Sequence, residues 1–344
     1  MVDTMRRMAP DVQHPFDIGK HKLMPGECRD LKLKISEMYT ATPVYIPLSI
    51  IHGARPGARL FVSAAVHGNE LNGVEMIRQL RAEVDPLQLK GTLLLIVIAN
   101  PIAFMMQSRD LPDGRDLNRV FPGTEKGSMA AQIASDLFEK VVLRADYGID
   151  LHTAAHGRTN LPHVRANMKV PSVRRLAHAF GCEVIFDMEG DKGMLRHAAT
   201  RAGVPTIVYE AGEPLKFQKP LIKQGLTGIK NVMNDLAMYD FGRTSPPFQF
   251  VVEDHRWVRS ERGGIFILNV KPGDIVKKGE AIGVTTKPFG TEATPLKAPY
   301  SGLVVGCSTL PMVIPGSAVV HLVKMGKKQK AFRKLLRRQR VIFE

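Results

Sequence analysis

A chain of 344 residues with 44% hydrophobic and 24% charged side chains has the make-up of a folded globular protein of about two domains, which excludes wholesale disorder and a single small module. The longest apolar run, Leu93–Ala99, is far short of the roughly 20 residues that span a bilayer. The formal net charge of +15 is unevenly spread: nine cations between Lys324 and Arg340 make a basic tail, read as a solvated extension with weak binding to anionic surfaces as its alternative, and no specific nucleic-acid partner is expected.

The first residues, MVDTMRRMAPDVQHPFD, lack an apolar stretch and a small-residue cleavage site, so the sequence predicts no secretory signal and a cytoplasmic location. Cys28, Cys182 and Cys307 are odd in number and far apart, which argues against disulfides and against a thiolate zinc site. The segment up to about Pro56, with Pro43 and Pro47 around Val44–Ile46, reads as an irregular lead-in with short edge strands.

From Arg59 the texture alternates. RLFVSAAV, LLLIVIAN, GIDLH, EVIFDM and PTIVYE are apolar strand-like runs, and between them lie helical patterns such as LNGVEMIRQLRAEV, AAQIASDLFEKVV, VRRLAHAFG and MLRHAATRAG. This predicts an α/β fold whose largely parallel sheet is covered on both faces. A last helix near Gln218–Tyr239 leads to the linker-like RTSPPF (Arg243–Phe248). Beyond it, short strands punctuated by Gly and Pro predict a small all-β domain over residues 246–324, with a first domain over 1–245 and the tail over 325–344.

Ligands of such sheets sit beyond the carboxyl ends of the strands, where His67, Asn100, His152 and Glu210 all fall. His67 and Glu70 lie three apart at a strand-to-helix turn, and His152 ends another strand. Two His and one Glu are the ligand set of catalytic zinc sites with a position left open for water, against the plainer reading of a capping or hydrogen-bonded pair. Asp150 is placed to orient His152, with a carboxylate that merely satisfies backbone donors in its strand as the alternative. Glu210, after an apolar strand, is the candidate general base, with Glu213 as its competitor. The polar, Gly/Pro-rich segment Ser108–Gly123 holds Arg109, Arg115 and Arg119, candidates for stabilising an oxyanion and gripping a carboxylate, or for pairing with Asp110, Asp113 and Asp116 at the surface.

HGNE, NPIAF, RDLNRVFPG, DLH and YEAGE, in that order, closely resemble the succinylglutamate desuccinylase and aspartoacylase family, relatives of the zinc carboxypeptidases, over roughly Arg59–Tyr239 and into the β domain. The resemblance implies a zinc-carboxypeptidase-like three-layer α/β/α domain with a mostly parallel mixed sheet and one Zn²⁺ on His67, Glu70 and His152. It further implies Glu210 as base, Asn118 and Arg119 as substrate-carboxylate contacts, and Arg109 as oxyanion stabiliser, with Arg115 as the alternative. GDIVKKGEAIG and APYSGLV are similar to the barrel-sandwich fold of biotinyl and lipoyl carriers. Thr291 stands near the place of the carrier lysine, so this is read as a non-carrier version, of the kind that in the family closes over the site and limits it to small substrates. The expectation is a zinc-dependent amidohydrolase acting on small N-acyl amino acids. A metallocarboxypeptidase acting on peptides, or a metal-free binding protein of the same fold, are the alternatives, and assembly as a homo-oligomer is left open.

Overall fold

From Arg55 to Gly212 strands and helices largely alternate, with the central strands buried on both faces and the long helices apolar along one stripe. The computed structural model describes residues 12–38 and 40–325; the basic tail beyond Met325 lies outside the described residues. A hairpin, β1 (Phe16–Ile18) and β2 (His21–Leu23), precedes β3 (Cys28–Glu37), β4 (Pro43–His52) and β5 (Arg55–Ala64). Then come α1 (Asn72–Glu83), β6 (Lys90–Ile96), α2 (Pro101–Met105), α3 (Met129–Lys140), β7 (Tyr147–His152), β8 (Arg158–Ala166), α4 (Pro171–Phe180), β9 (Val184–Asp187), α5 (Leu195–Arg201), β10 (Thr206–Gly212) and α6 (Lys219–Asp235). The C-terminal strands are β11 (Phe250–Val252), β12 (His255–Arg259), β13 (Gly264–Leu268), β14 (Ile275–Val276), β15 (Ala281–Thr286), β16 (Thr294–Lys297), β17 (Gly302–Ser308), β18 (Met312–Val313) and β19 (Ala318–Lys324).

Among the described residues one 13-stranded sheet carries the order β12-β19-β17-β8-β10-β7-β5-β6-β4-β3. The fold is mixed α/β, and the expectation of a mostly parallel sheet is corrected: only β10, β7, β5 and β6 pair parallel along this path, with antiparallel strands on both sides. The connections explain it. Residues 38–42 between β3 and β4 are too few to cross over a sheet and return in parallel. The lead-in is corrected too, because β3 and β4 are ten-residue strands of the main sheet. The stretch after His152 forms β8 although Pro162 argues against a central strand.

The continuous LLLI run of β6 follows from cover on both faces: Leu93 and Leu95 enter one core with α1, α4 and α6, whereas Leu94 and Ile96 enter the other with α3 and α5. Each such fully buried side chain contributes about 1.5–3 kcal/mol. Helix ends are set locally: Ser128 Oγ accepts from Ala131 N, Pro171 opens α4, and Gly181 ends it at φ +83°.

In the C-terminal part, the sheet β16-β15-β13-β18 faces β12, β19 and β17 across a core of Val258, Phe266, Ile282, Val304 and Leu322. It is joined to the main sheet edge to edge: β17 pairs antiparallel with β8, and β11 parallel with β9. Thr309 N donates to Gly157 O at 2.8 Å, so these strands lie against the turn that follows His152.

Candidate metal centre

Strand alternation prepares the site. In β7, Ile149 and Leu151 point into one apolar core, which leaves Asp150 and His152 together on the opposite face. In β10, Ile207, Tyr209 and Ala211 enter the same core, leaving Glu210 on the other face. The parallel register pairs Glu210 with His152 and Val208 with Asp150. The base candidate and a ligand candidate are therefore direct cross-strand neighbours.

His67 comes from the turn after β5. Ala65 there adopts φ +51°, a left-handed conformation that costs a non-glycine residue roughly 1–2 kcal/mol. Asn100 holds this turn, donating through Nδ2 to Val66 O while its Oδ1 accepts from Ala103 N. Gly68 is a glycine for lack of room: a Cβ there would lie 2.0 Å from the carbonyl carbon of Ala103. The loop thereby presses HGNE against α2 and delivers His67 and Glu70 inward.

His67, Glu70 and His152 converge, with all three nearly inaccessible. His67 Nδ1 lies 2.8 Å from Glu70 Oε1, His152 Nδ1 lies 2.8 Å from Glu70 Oε2, and the two Nδ1 atoms are 3.2 Å apart. Each outer nitrogen faces another carboxylate: His152 Nε2 is 2.7 Å from Asp150 Oδ2, and His67 Nε2 is 3.1 Å from Asp116 Oδ1. Each of those carboxylates is placed to accept a hydrogen bond from Nε2–H, the tautomer that turns both Nδ1 lone pairs toward each other and toward Glu70. Three electron-pair donors crowded into a dry pocket fit a divalent cation.

Burial pushes both imidazoles toward neutrality, yet Glu70 and Asp150 hold His152 well above its ordinary value, and Glu70 and Asp116 raise His67. Burial pushes both carboxyls up, yet His67 and His152 hold Glu70, and His67 with Arg109 holds Asp116, well below the usual carboxylate range. Asp150, fully buried, also accepts from Ser63 Oγ at 2.7 Å.

The arginines separate. Arg109 reaches the centre: NH1 lies 3.3 Å from Glu70 Oε1, and NH2 2.9 Å from Asp116 Oδ2. Arg115 pairs with Asp113 at 2.8 Å on the exposed side of its loop. Arg119 is half-exposed, donating to Asn118 O at 2.9 Å with Asp116 Oδ2 at 3.8 Å. Asn118 is buried, and its Oδ1 accepts from Leu195 N at the start of α5. Glu213 forms an ion pair with Lys216, whereas Glu210 is held by Asn160 Nδ2 at 3.0 Å and by Arg165 NH2 at 3.4 Å. Exposed His156 stands apart, and buried His163 accepts from Arg165 Nε.

Four residues near the centre are missed in the sequence reading as contributors: Asp116, Asn160, Arg165 and Arg196. Asp116 reads there as a surface partner for arginine. Asn160 and Arg165 sit on β8, whose strand signal Pro162 obscures, and the register shift between Glu210 and Gly212 lets Asn160 reach Glu210. Arg196 of α5 is buried, and burial together with Arg165 pushes it down to about 10 while Glu210 and Asp150 attract it.

Residues 56–236 match the family profile described as the succinylglutamate desuccinylase/aspartoacylase catalytic domain. The chain is 27% identical over 271 residues to the N-alpha-acetyl-L-2,4-diaminobutyric acid deacetylase of Halomonas elongata, covering 73% of this chain and 77% of that one. It is 24% identical over 196 residues to the succinylglutamate desuccinylase of Yersinia pestis, which covers 52% of this chain and 59% of the relative. Among solved structures, a succinylglutamate desuccinylase from Silicibacter superposes with TM-score 0.76 at 23% identity, over 87% of this chain and 95% of that one. The product-bound ectoine utilisation protein EutE (DoeB) of Ruegeria pomeroyi gives 0.78 at 22%, over 88% and 98%. With the profile spanning more than half of its length, the chain belongs to the succinylglutamate desuccinylase/aspartoacylase family.

Proposed function

We propose that the protein is a zinc-dependent deacylase that hydrolyses the amide bond of small N-acyl amino acids, with a carboxypeptidase-like arrangement of ligands and base. The observation that carries this reading is the buried convergence of His67, Glu70 and His152 beside Glu210 on the neighbouring strand. The family's named activities, deacetylation of an acetyl-diaminobutyrate and desuccinylation of succinylglutamate, support the reaction type.

His67 Nδ1, His152 Nδ1 and Glu70 would hold the zinc ion, which when bound lowers the pKa of a water molecule and polarises a carbonyl. Asp150 and Asp116 keep the Nε2 protons and so aim the two imidazoles. Glu210 accepts a proton from the attacking water and delivers it to the departing amine nitrogen. Asn160 and Arg165 fix the carboxylate of Glu210 for that task. Arg109 is the nearest guanidinium to the centre and stabilises the negative oxygen of the tetrahedral adduct. Arg119 and the amide of Asn118 bind the carboxylate of the amino-acid product.

Hydrolysis of acetyl, succinyl and longer N-acyl amino acids, and of tri- and tetrapeptides, by zinc-loaded protein tests this directly. N-acyl amino acids are expected to be cleaved and the peptides not. Glu210→Gln should keep its zinc and lose turnover by roughly 10²–10⁴-fold. Peptide cleavage alone would favour a metallocarboxypeptidase, and purified protein with no affinity for zinc would leave a binding protein of the same fold.

A further inference from the structure

Strands β12 and β16 both end sheets: β12 closes the order of the long sheet, and β16 that of the four-stranded one. Alternate residues of an end strand turn their N–H and C=O groups to the open side, where another strand can pair with them. Between the two edges runs a groove of about 420 Å³, with residues 256–262 on one side and 294–297 on the other. Its floor is polar, since Ser260 Oγ and Thr285 Oγ1 lie there 3.4 Å apart and buried. Pro295, which has no N–H to offer, blocks the β16 edge. The edge of β12, His255–Arg259, carries no proline.

The groove is strongly cationic. Arg256, Arg259, Arg262 and Lys297 line it and are exposed, against one carboxylate, Glu261. Among the described residues none of the four pairs with a carboxylate, and Arg259 NH1 donates to Gly316 O at 2.7 Å. Charges on a free edge ordinarily keep other strands away. A guard of one sign, however, repels basic strands and draws in acidic ones. Single-stranded nucleic acid also meets such charge, but it is held by bases stacking on open aromatic rings. The Trp257 ring is already engaged, by His321 with centroids 4.8 Å apart and by the Arg158 guanidinium carbon 4.6 Å from its own centroid. A second copy of this chain would bring its own net charge of +15.

We propose that the groove is a docking site for an extended acidic segment of a partner protein, which adds to β12 as a further strand and sets its carboxylates against Arg256, Arg259, Arg262 and Lys297. β12 has five residues, a length of about 17 Å, so the segment pairs over about five residues. Hydrogen bonds along the edge supply affinity for any extended backbone, and the four cations select its sequence. The inference stands apart from the deacylase reading and needs neither metal nor turnover.

Fluorescence anisotropy of the full-length protein with a labelled hexapeptide of alternating Glu and Val, beside one of alternating Gln and Val, tests this. The acidic peptide is expected to bind more tightly by about tenfold or more. Arg256→Glu with Arg262→Glu should weaken that binding by about tenfold or more. Lys20→Glu with Lys22→Glu, the same charge change at exposed positions of the N-terminal hairpin, should alter it by less than about twofold. Circular dichroism checks the fold of both variants. Pairing is read by N-methylating the acidic peptide at its Val or at its Glu amides: only one set faces β12, so one form should lose binding and the other keep it. Equal loss in the two charge variants would assign the binding to overall charge, and equal affinity of the two methylated forms would show that no strand is added; either overturns the proposal. So does absence of binding by the acidic peptide, tighter binding of oligothymidylate at the same arginines, or sedimentation showing that wild type self-associates and the groove variant does not.

Discussion

Asp150 Oδ2 lies 2.7 Å from His152 Nε2, and its other oxygen accepts from Ser63 Oγ at the same distance. A fully buried carboxylate is tolerated inside a parallel sheet because both of its oxygens are used. Its effect is to assign the imidazole's protons, so that Nδ1, toward Glu70, carries the lone pair. Asp150→Asn keeps the volume and removes the charge. It should weaken zinc affinity by about 10–100-fold while the protein stays folded, as read by chelator competition and circular dichroism. Unchanged affinity would show that the carboxylate serves folding alone.

The same centre predicts a pH dependence. Zinc needs the Nδ1 lone pairs of His67 and His152, and both imidazoles are held above their ordinary value by facing carboxylates. Protons therefore compete with the metal. Zinc affinity should fall as pH drops through those raised values, by about tenfold per pH unit for each proton displaced, and level off above them. Asp150→Asn removes part of the charge that raises His152, so its profile should level off at lower pH. Zinc titrations across mildly acid to mildly alkaline buffers measure both, and a flat wild-type profile would contradict the assigned ligands.

Arg109 and Arg115 lie six residues apart in one loop yet occupy different environments. Arg109 contacts Glu70 and Asp116; Arg115 contacts Asp113 at the exposed surface. On the proposed mechanism Arg109→Gln should lower kcat by about 10²–10³-fold, the cost of losing an oxyanion donor. Arg115→Gln should change kcat/KM by less than about twofold, since an exposed ion pair is worth little. Equal loss in both variants would return the role to the loop as a whole.

Gly68 predicts a stability effect. The carbonyl carbon of Ala103 lies 2.0 Å from where its Cβ would stand, with Phe104 N at 2.1 Å. Backbone cannot turn aside as a side chain can, so the HGNE turn must lift from α2. Gly68→Ala should destabilise the protein by on the order of 3 kcal/mol, a shift of several degrees in Tm, and weaken zinc binding through the displaced His67. A thermal melt in chelator and in excess zinc reads both consequences, and an unchanged Tm in chelator would mean the turn yields freely.

The chemistry-bearing residues of β7 and β10 are legible in one dimension because alternation is local: Ile149 and Leu151 inward leave Asp150 and His152 on the other face, whatever surrounds them. The same holds for LLLI as a strand covered on both sides, and for the HGNE turn closing a strand. Ordered motifs also carried the family. Which partner each polar group meets is a different kind of fact. Asp116 is 49 residues from the imidazole it orients, and Asn160 is 50 from the carboxylate it holds. No periodicity encodes such distances. Arg109 and Arg115 are equivalent as residue types in a polar loop, and only the loop's path makes one of them a neighbour of Glu70. β8 reads poorly because Pro162 lowers its local strand preference, and its place between β10 and β17 comes from pairing that residues far away in the chain supply. Local sterics and side-chain period decide where a residue can point; long-range strand pairing, at the entropic cost of closing the intervening chain, decides what it finds there.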